Sequence, residues 1–158
     1  MATDVFLGQL GLGLTLGLAA IGSALGIGAA GRAAAGAWAK EAKAGKPLNF
    51  SYIILTGMPL SQTIYAFVLM LVGLKAGIVE NPDIVAVHGG TLFGIGLAGG
   101  LAELFSAWMQ GKIGAAACRA ISEGEGKGLA FMIIAMGIVE TVGLFGFVFL
   151  LLMIPGAG

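Results

Sequence analysis

Charged side chains make up only 10% of this 158-residue chain and hydrophobic ones 58%, with mean hydropathy +1.02. A soluble domain covers its surface with roughly 25–35% charged residues, so that class is excluded. The formal net charge of zero leaves no basic footprint for nucleic acid, and the single cysteine, Cys118, excludes an intrachain disulfide.

Four stretches are nearly free of charge: roughly residues 5–31, 50–74, 84–111 and 129–154. Each exceeds the roughly 20 residues a helix needs to cross the hydrocarbon core. None shows the roughly 10-residue alternation of barrel strands, so the chain is predicted to be an all-α membrane protein with four transmembrane helices. The start, MATDVFLGQL, has an acid and no basic segment, which predicts that the first span is retained rather than cleaved. The first connection carries Arg32, Lys40, Lys43 and Lys46, and the third carries Lys112, Arg119 and Lys127. The second, KAGIVENPDIVAVHGG, has Lys75 against Glu80 and Asp83, and Asp4 lies near the N-terminus. The distribution of basic residues predicts connections one and three in the cytoplasm and both termini outside. The sequon at Asn49 would then face the cytoplasm and carry no glycan.

The chain contains itself twice. Displaced by 83 residues, GSALGIGAAGRAA (22–34) lies on FSAWMQGKIGAAA (105–117), with shared Ser, Gly and Ala; displaced by 80, TIYAFVLMLV lies on GLFGFVFLLL. The drop from 83 to 80 makes the second cytoplasmic connection three residues shorter. The predicted units are a first helical hairpin, 1–79, and a second, 80–158, entering the membrane in the same orientation. Spans one and three are glycine-rich (Gly13, Gly17, Gly22, Gly26 and Gly28; Gly90, Gly94, Gly96, Gly99 and Gly100), whereas spans two and four are bulky. Small residues let helix backbones approach closely. Thin helices paired with thick ones make wedges, which close into a homo-oligomeric ring with the thin helices inward. The run Gly26-Ile-Gly28-Ala-Ala-Gly31 imitates a dinucleotide fingerprint, but it follows no strand and has no acid about 20 residues on; no P-loop occurs, so no nucleotide is expected to bind.

Glu140 is the one ionisable residue in the fourth span, and its counterpart in the first hairpin is Leu60. A charged acid at mid-membrane costs on the order of 2.5–3.5 kcal/mol by insertion scales, and such residues mark ion pathways. Gln110 is as far before the third turn as Glu140 is after it, which predicts that the two share a depth and pair. Ser61 and Gln62 flank Leu60 and belong at the same depth. Pro59 removes a helix hydrogen bond and frees the carbonyl of Leu55. Tyr65 sits one turn from Ser61, where its hydroxyl would close the site. A proton needs a carboxylate and one hydrogen bond, whereas a hard cation needs several oxygens to replace its water. One carboxylate with neutral amide, hydroxyl and carbonyl oxygens suits Na⁺.

These residues carry a family resemblance. The chain resembles, over nearly its whole length, the membrane rotor-ring proteolipid of V-type rotary ATPases, the K-subunit type, and within it the sodium-motive bacterial branch. Glu140-Thr141, Gln110 within FSAWMQGK, and Pro59-Leu60-Ser61-Gln62 stand where that branch has Glu-Thr, Gln before Gly-Lys, and Pro-x-Thr-Gln. The resemblance implies Glu140, Gln110, Gln62, Ser61 and the Met58 backbone carbonyl as Na⁺ ligands, with Tyr65 as latch and Pro59 and Thr141 as supports. The Met58 ligand comes from the resemblance alone. Ser61 replaces the family's Thr and keeps the hydroxyl.

Glu103 is extra to the pattern. It lies seven residues before Gln110, on about the same helix face and about 10 Å nearer the outside. It is expected to be either a protonated acid facing the ring interior or bonded to a neighbour, or a second protonatable or cation site.

The resemblance further implies a ring turning against a membrane stator subunit, with rotor stalk subunits attached, in lipid of a bacterial cell membrane. The chain would be non-catalytic, carrying Na⁺ on Glu140 while ATP is hydrolysed or made elsewhere. A proton-driven rotor of the same fold is the alternative, followed by a small channel or membrane scaffold. Cys118 is expected to be a small packing residue and His88 a solvated helix end.

Overall fold

The structure is a computed structural model that describes residues 2–156; the extreme termini, expected outside the membrane, lie beyond the described residues. Among these residues there are four long helices and no strands: α1 (Ala2–Lys43), α2 (Ser51–Glu80), α3 (Pro82–Glu123) and α4 (Leu129–Leu152). All four are long and apolar enough to cross a membrane.

The helices run further than the apolar stretches do. Arg32, Lys40, Lys112 and Arg119 lie on α1 and α3, not in connections, because alanine-rich segments continue the helix past the lipid-length run. The stretch expected as the second connection is also helical almost throughout. Asn81 breaks it (φ −129°, ψ 82°), Pro82 follows within the first turn of α3, where its missing N–H is harmless, and His88 kinks the helix further on (φ −112°, ψ 17°). The Asn81 side chain donates back to the Ala76 carbonyl at 2.8 Å.

The other two connections, residues 44–50 and 124–128, meet at one end of the bundle. Lys46 Nζ donates to Glu125 Oε1 at 2.7 Å across them. Glu41 of α1 accepts from the Asn49 amide (2.9 Å) and from the Tyr52 hydroxyl (2.6 Å), and Trp38 donates to the Asn49 carbonyl at 2.9 Å. Asn49 in turn accepts from the Ser51 amide at 2.9 Å, so its side chain starts α2.

Packing follows residue size. The α1 and α3 backbones touch along their length: a Cβ at Gly11 would lie 2.7 Å from Phe93 Cα, and a Cβ at Gly111 would run into the backbone of Gly26. Thr15 bridges the two helices, donating to Gly11 O (2.8 Å) and lying 3.2 Å from Gly96 O. Gly13, Gly17, Gly90 and Gly94 take no part in this contact; a Cβ at each would meet nothing within 4 Å. The glycines thus form two stripes, one spent inside the chain and one left open.

α2 and α4 lie outside this thin pair. Near the connections, Ala34, Tyr52, Leu55, Cys118, Ile121 and Met136 form one core, so Cys118 is a packing residue. Leu69, Leu74, Val85, Leu92 and Ile95 form another at the far end. α4 presents Phe131, Ile134, Ile138, Val142, Phe145, Phe149 and Leu152 outward, each more than half exposed. An outward face this apolar belongs in lipid or against another copy.

The duplication extends to single hydrogen bonds. Ser23 of α1 donates to the Pro59 carbonyl at 2.6 Å; its counterpart Ser106 of α3 donates to the carbonyl of Val139, the counterpart of Pro59, at 3.0 Å.

Candidate functional site

The site forms between the two cores, where α2, α3 and α4 meet. Pro59 shapes the α2 contribution. It has no N–H, and the helix tightens into a 3₁₀ turn at Met58–Leu60 before resuming at Ser61. The Leu55 carbonyl that Pro59 frees does not join the site. It faces α3, 2.9 Å from where a Cβ of Gly114 would stand. The tight turn instead brings the Met58 carbonyl to the Ser61 hydroxyl, at 3.0 Å.

From there the polar groups form a continuous chain. Ser61 Oγ lies 3.2 Å from Gln62 Oε1. Gln62 Nε2 donates to Gln110 Oε1 (3.2 Å) and to Ser106 Oγ (3.1 Å). Gln110 Nε2 donates to Glu140 Oε2 (3.1 Å) and to the Met136 carbonyl (3.2 Å). The other carboxylate oxygen, Oε1, accepts from the Tyr65 hydroxyl at 3.0 Å. Tyr65 is stacked on Phe147 of α4, with ring centroids 5.9 Å apart, which fixes the hydroxyl over the carboxylate.

Gln62 and Gln110 are fully buried, whereas Glu140 is half-buried on the outermost helix. The inner ligand candidates are therefore rigid and dry, and the carboxylate sits at the edge. Leu60, its counterpart in the first hairpin, is likewise at an outward position and 50% exposed.

Of the groups singled out in the sequence, Gln110, Gln62, Ser61, Tyr65 and the Met58 carbonyl belong with Glu140 to this one network. Thr141 does not: its hydroxyl donates to Ile138 O at 2.7 Å on the exposed face, satisfied within its own helix. Ser106 is an addition, holding Gln62 from α3 while bound to the α4 backbone. Its signal was the coincidence with Ser23 in the internal repeat. Glu103 is fully buried inside the chain, and neither of its carboxylate oxygens has a hydrogen-bond partner. No cluster of three His, Cys, Asp or Glu side chains able to hold a metal occurs among the described residues. A cation here would rely on neutral oxygens around a single acid.

A duplicated four-helix membrane proteolipid with one half-buried carboxylate on its outer helix is the architecture of an ion-carrying rotor component. The family model for the ATP synthase C subunit matches the chain twice, over residues 10–72 and 93–153, and the chain belongs to that family. It is a non-catalytic membrane component of an ion-translocating rotary complex, in a family that forms oligomeric rings with a stator subunit and a rotor stalk. Comparison with the curated proteins finds no match.

Proposed function

We propose that the chain is the rotor-ring proteolipid of a sodium-motive V-type ATPase, of the K-subunit type, and that it carries Na⁺ on Glu140. The observation that supports this is the unbroken hydrogen-bonded chain of oxygen-bearing groups from Glu140 through Gln110, Gln62 and Ser61 to the Met58 carbonyl. A proton would use the carboxylate and one partner, leaving the rest of the path without a task. A desolvated Na⁺ requires several such oxygens. One carboxylate among neutral ligands gives zero net charge with a monovalent ion bound. Gln110 turns its Nε2 toward the carboxylate and Gln62 its Nε2 toward Gln110 Oε1; a bound cation would draw their Oε1 atoms inward, with Tyr65 closing over Glu140. Pro59 supports the site by setting the tight turn that aims the Met58 carbonyl.

Glu140 filled is neutral and passes through lipid at the ring's edge. Glu140 empty is charged, and moves only where the stator supplies water and a cationic group. That difference couples ion transfer to rotation and rotation to ATP chemistry in other subunits. Connections 44–50 and 124–128, with the basic ends of α1 and α3, would face the bacterial cytoplasm and the rotor stalk. The two hairpins, 1–79 and 80–158, divide near the reversal at Asn81.

A proton-translocating ring is the second reading, favoured by one observation: Tyr65 and Gln110 each donate to one of the two Glu140 carboxylate oxygens. Carbodiimide labelling of the purified ring separates the two. Protection of Glu140 by Na⁺ that strengthens as pH rises supports the sodium carrier. Labelling indifferent to Na⁺ refutes it in favour of H⁺.

A further inference from the structure

Glu103 of α3 is fully buried, and neither of its carboxylate oxygens has a hydrogen-bond partner. It points at Gly143 of α4. A Cβ on Gly143 would lie 2.5 Å from Glu103 Oε2 and 2.9 Å from Ser106 Oγ, so the carboxyl fills the recess left by a missing side chain. The first hairpin shows what that recess otherwise holds. There the counterpart of Gly143 is Thr63, whose hydroxyl donates to Ser23 Oγ at 2.7 Å, and the counterpart of Glu103 is Ala20. Between the two hairpins a threonine has become glycine on the outer helix while an alanine has become glutamate on the inner one. The two changes are complementary in volume: the recess is built for this carboxyl.

We propose that Glu103 is a second cation-binding carboxyl of the chain, one that takes a proton, and that it keeps this proton in the recess over Gly143 while Glu140 carries the translocated ion. This rests on the reading of Glu140 as the ion carrier. The proton follows from the surroundings. The groups able to carry charge that interact with Glu103 are Glu140 from α4 and Tyr65 from α2; α1 carries no ionisable residue between Val5 and Gly31, and α3 none other between Gly89 and Gly111. No counter-cation is available, and a bare carboxylate without hydrogen bonds is far costlier in this setting than a neutral acid. A metal cation does not suit the recess. The side-chain oxygen beside Glu103 over Gly143, Ser106 Oγ, is already engaged with Gln62 and the Val139 carbonyl, and a hard cation needs several free oxygens. The consequence for transport is charge balance. With Glu103 neutral, a single monovalent ion at Glu140 neutralises the pocket. With Glu103 ionised, the filled chain would still carry one negative charge into lipid and would hold its ion against release.

Infrared difference spectroscopy of the purified ring in lipid tests this at mildly alkaline pH, where the exposed loop acids are ionised. The carbonyl stretch of a protonated carboxyl is resolved from carboxylate absorption. The Na⁺-saturated wild-type ring is expected to retain one protonated-carboxyl band, and Glu103→Gln is expected to lack it. Absence of the band from the Na⁺-saturated wild type, or its survival in Glu103→Gln, overturns the proposal. Should Glu103→Gln fail to assemble, Glu103→Asp, which keeps the carboxyl, is expected to shift the band, and an unshifted band overturns the proposal equally. A Na⁺ titration separates this result from the sodium reading. If Na⁺ abolishes no band while Glu103→Gln removes one, Glu103 holds its proton and Glu140 carries H⁺.

Discussion

Gln110 is the node through which the carboxylate reaches the rest of the site, and Gln110→Leu is the most informative single change. The substitution keeps the side chain's approximate bulk and removes three hydrogen bonds: to Glu140 at 3.1 Å, to the Met136 carbonyl at 3.2 Å, and from Gln62 at 3.2 Å. A hydrogen bond to a charged group contributes about 1.5–3 kcal/mol and a neutral one about 1 kcal/mol. In the ion-filled state Gln110 Oε1 would turn to Na⁺; losing that contact, at the upper end of the range for a charged partner, removes about 3 kcal/mol of ion-site stabilisation, roughly a hundredfold in the Na⁺ dissociation constant. Proton binding, which needs only the carboxyl, should not weaken. The assay is the Na⁺ concentration that half-protects Glu140 from carbodiimide, measured on the purified ring at two pH values. A shift of roughly two decades, with proton-dependent labelling retained, is expected. A half-protecting concentration within threefold of wild type would refute the assignment of Gln110 to the ion.

Tyr65→Phe removes one hydroxyl from Glu140 and leaves the stack on Phe147, so Na⁺ release from the isolated ring should quicken roughly tenfold, for a loss of about 1.5 kcal/mol; stopped-flow ion release reads this. Thr141→Val, which breaks only a bond to Ile138 within α4, should leave Na⁺ protection unchanged in the same labelling assay. Gly26→Val drives a side chain into the Ala107 carbonyl and the Pro59 ring, where backbone must move, costing on the order of 1–3 kcal/mol or more; loss of the assembled ring on native gels is expected. Lys46 and Glu125 titrate against each other outside the membrane: Lys46 holds Glu125 below the usual carboxylate range, and Glu125 raises Lys46. The pair should therefore tie the two connections together throughout the neutral range. It should let go as pH falls through the lowered value of Glu125 or rises through the raised value of Lys46. Hydrogen exchange in residues 44–50 followed against pH is the check, with no change on acidification as the contrary result.

Membrane class, helix number and internal duplication were legible in the sequence because lipid imposes them locally. A length of apolar chain must satisfy its own backbone, and a repeat can be read by displacement along the chain. The expensive acid stood out for the same reason. The depth match of Gln110 with Glu140 also followed from counting, since helical rise is constant on both sides of a turn. Counting could not say which way a freed carbonyl points, and so the Leu55 oxygen went to Gly114 rather than to the site. Nor could it separate glycines pressed against a backbone, such as Gly11 and Gly111, from Gly13 and Gly94, which face open space; that depends on helix rotation, which only packing sets. Composition overstated the second connection, because charged and polar residues can end a lipid-length run without ending a helix. Tertiary structure alone decided where Glu103 lies. Its recess is made by a residue forty positions away that lacks a side chain, and a linear sequence cannot display the space left by an absent atom on another helix.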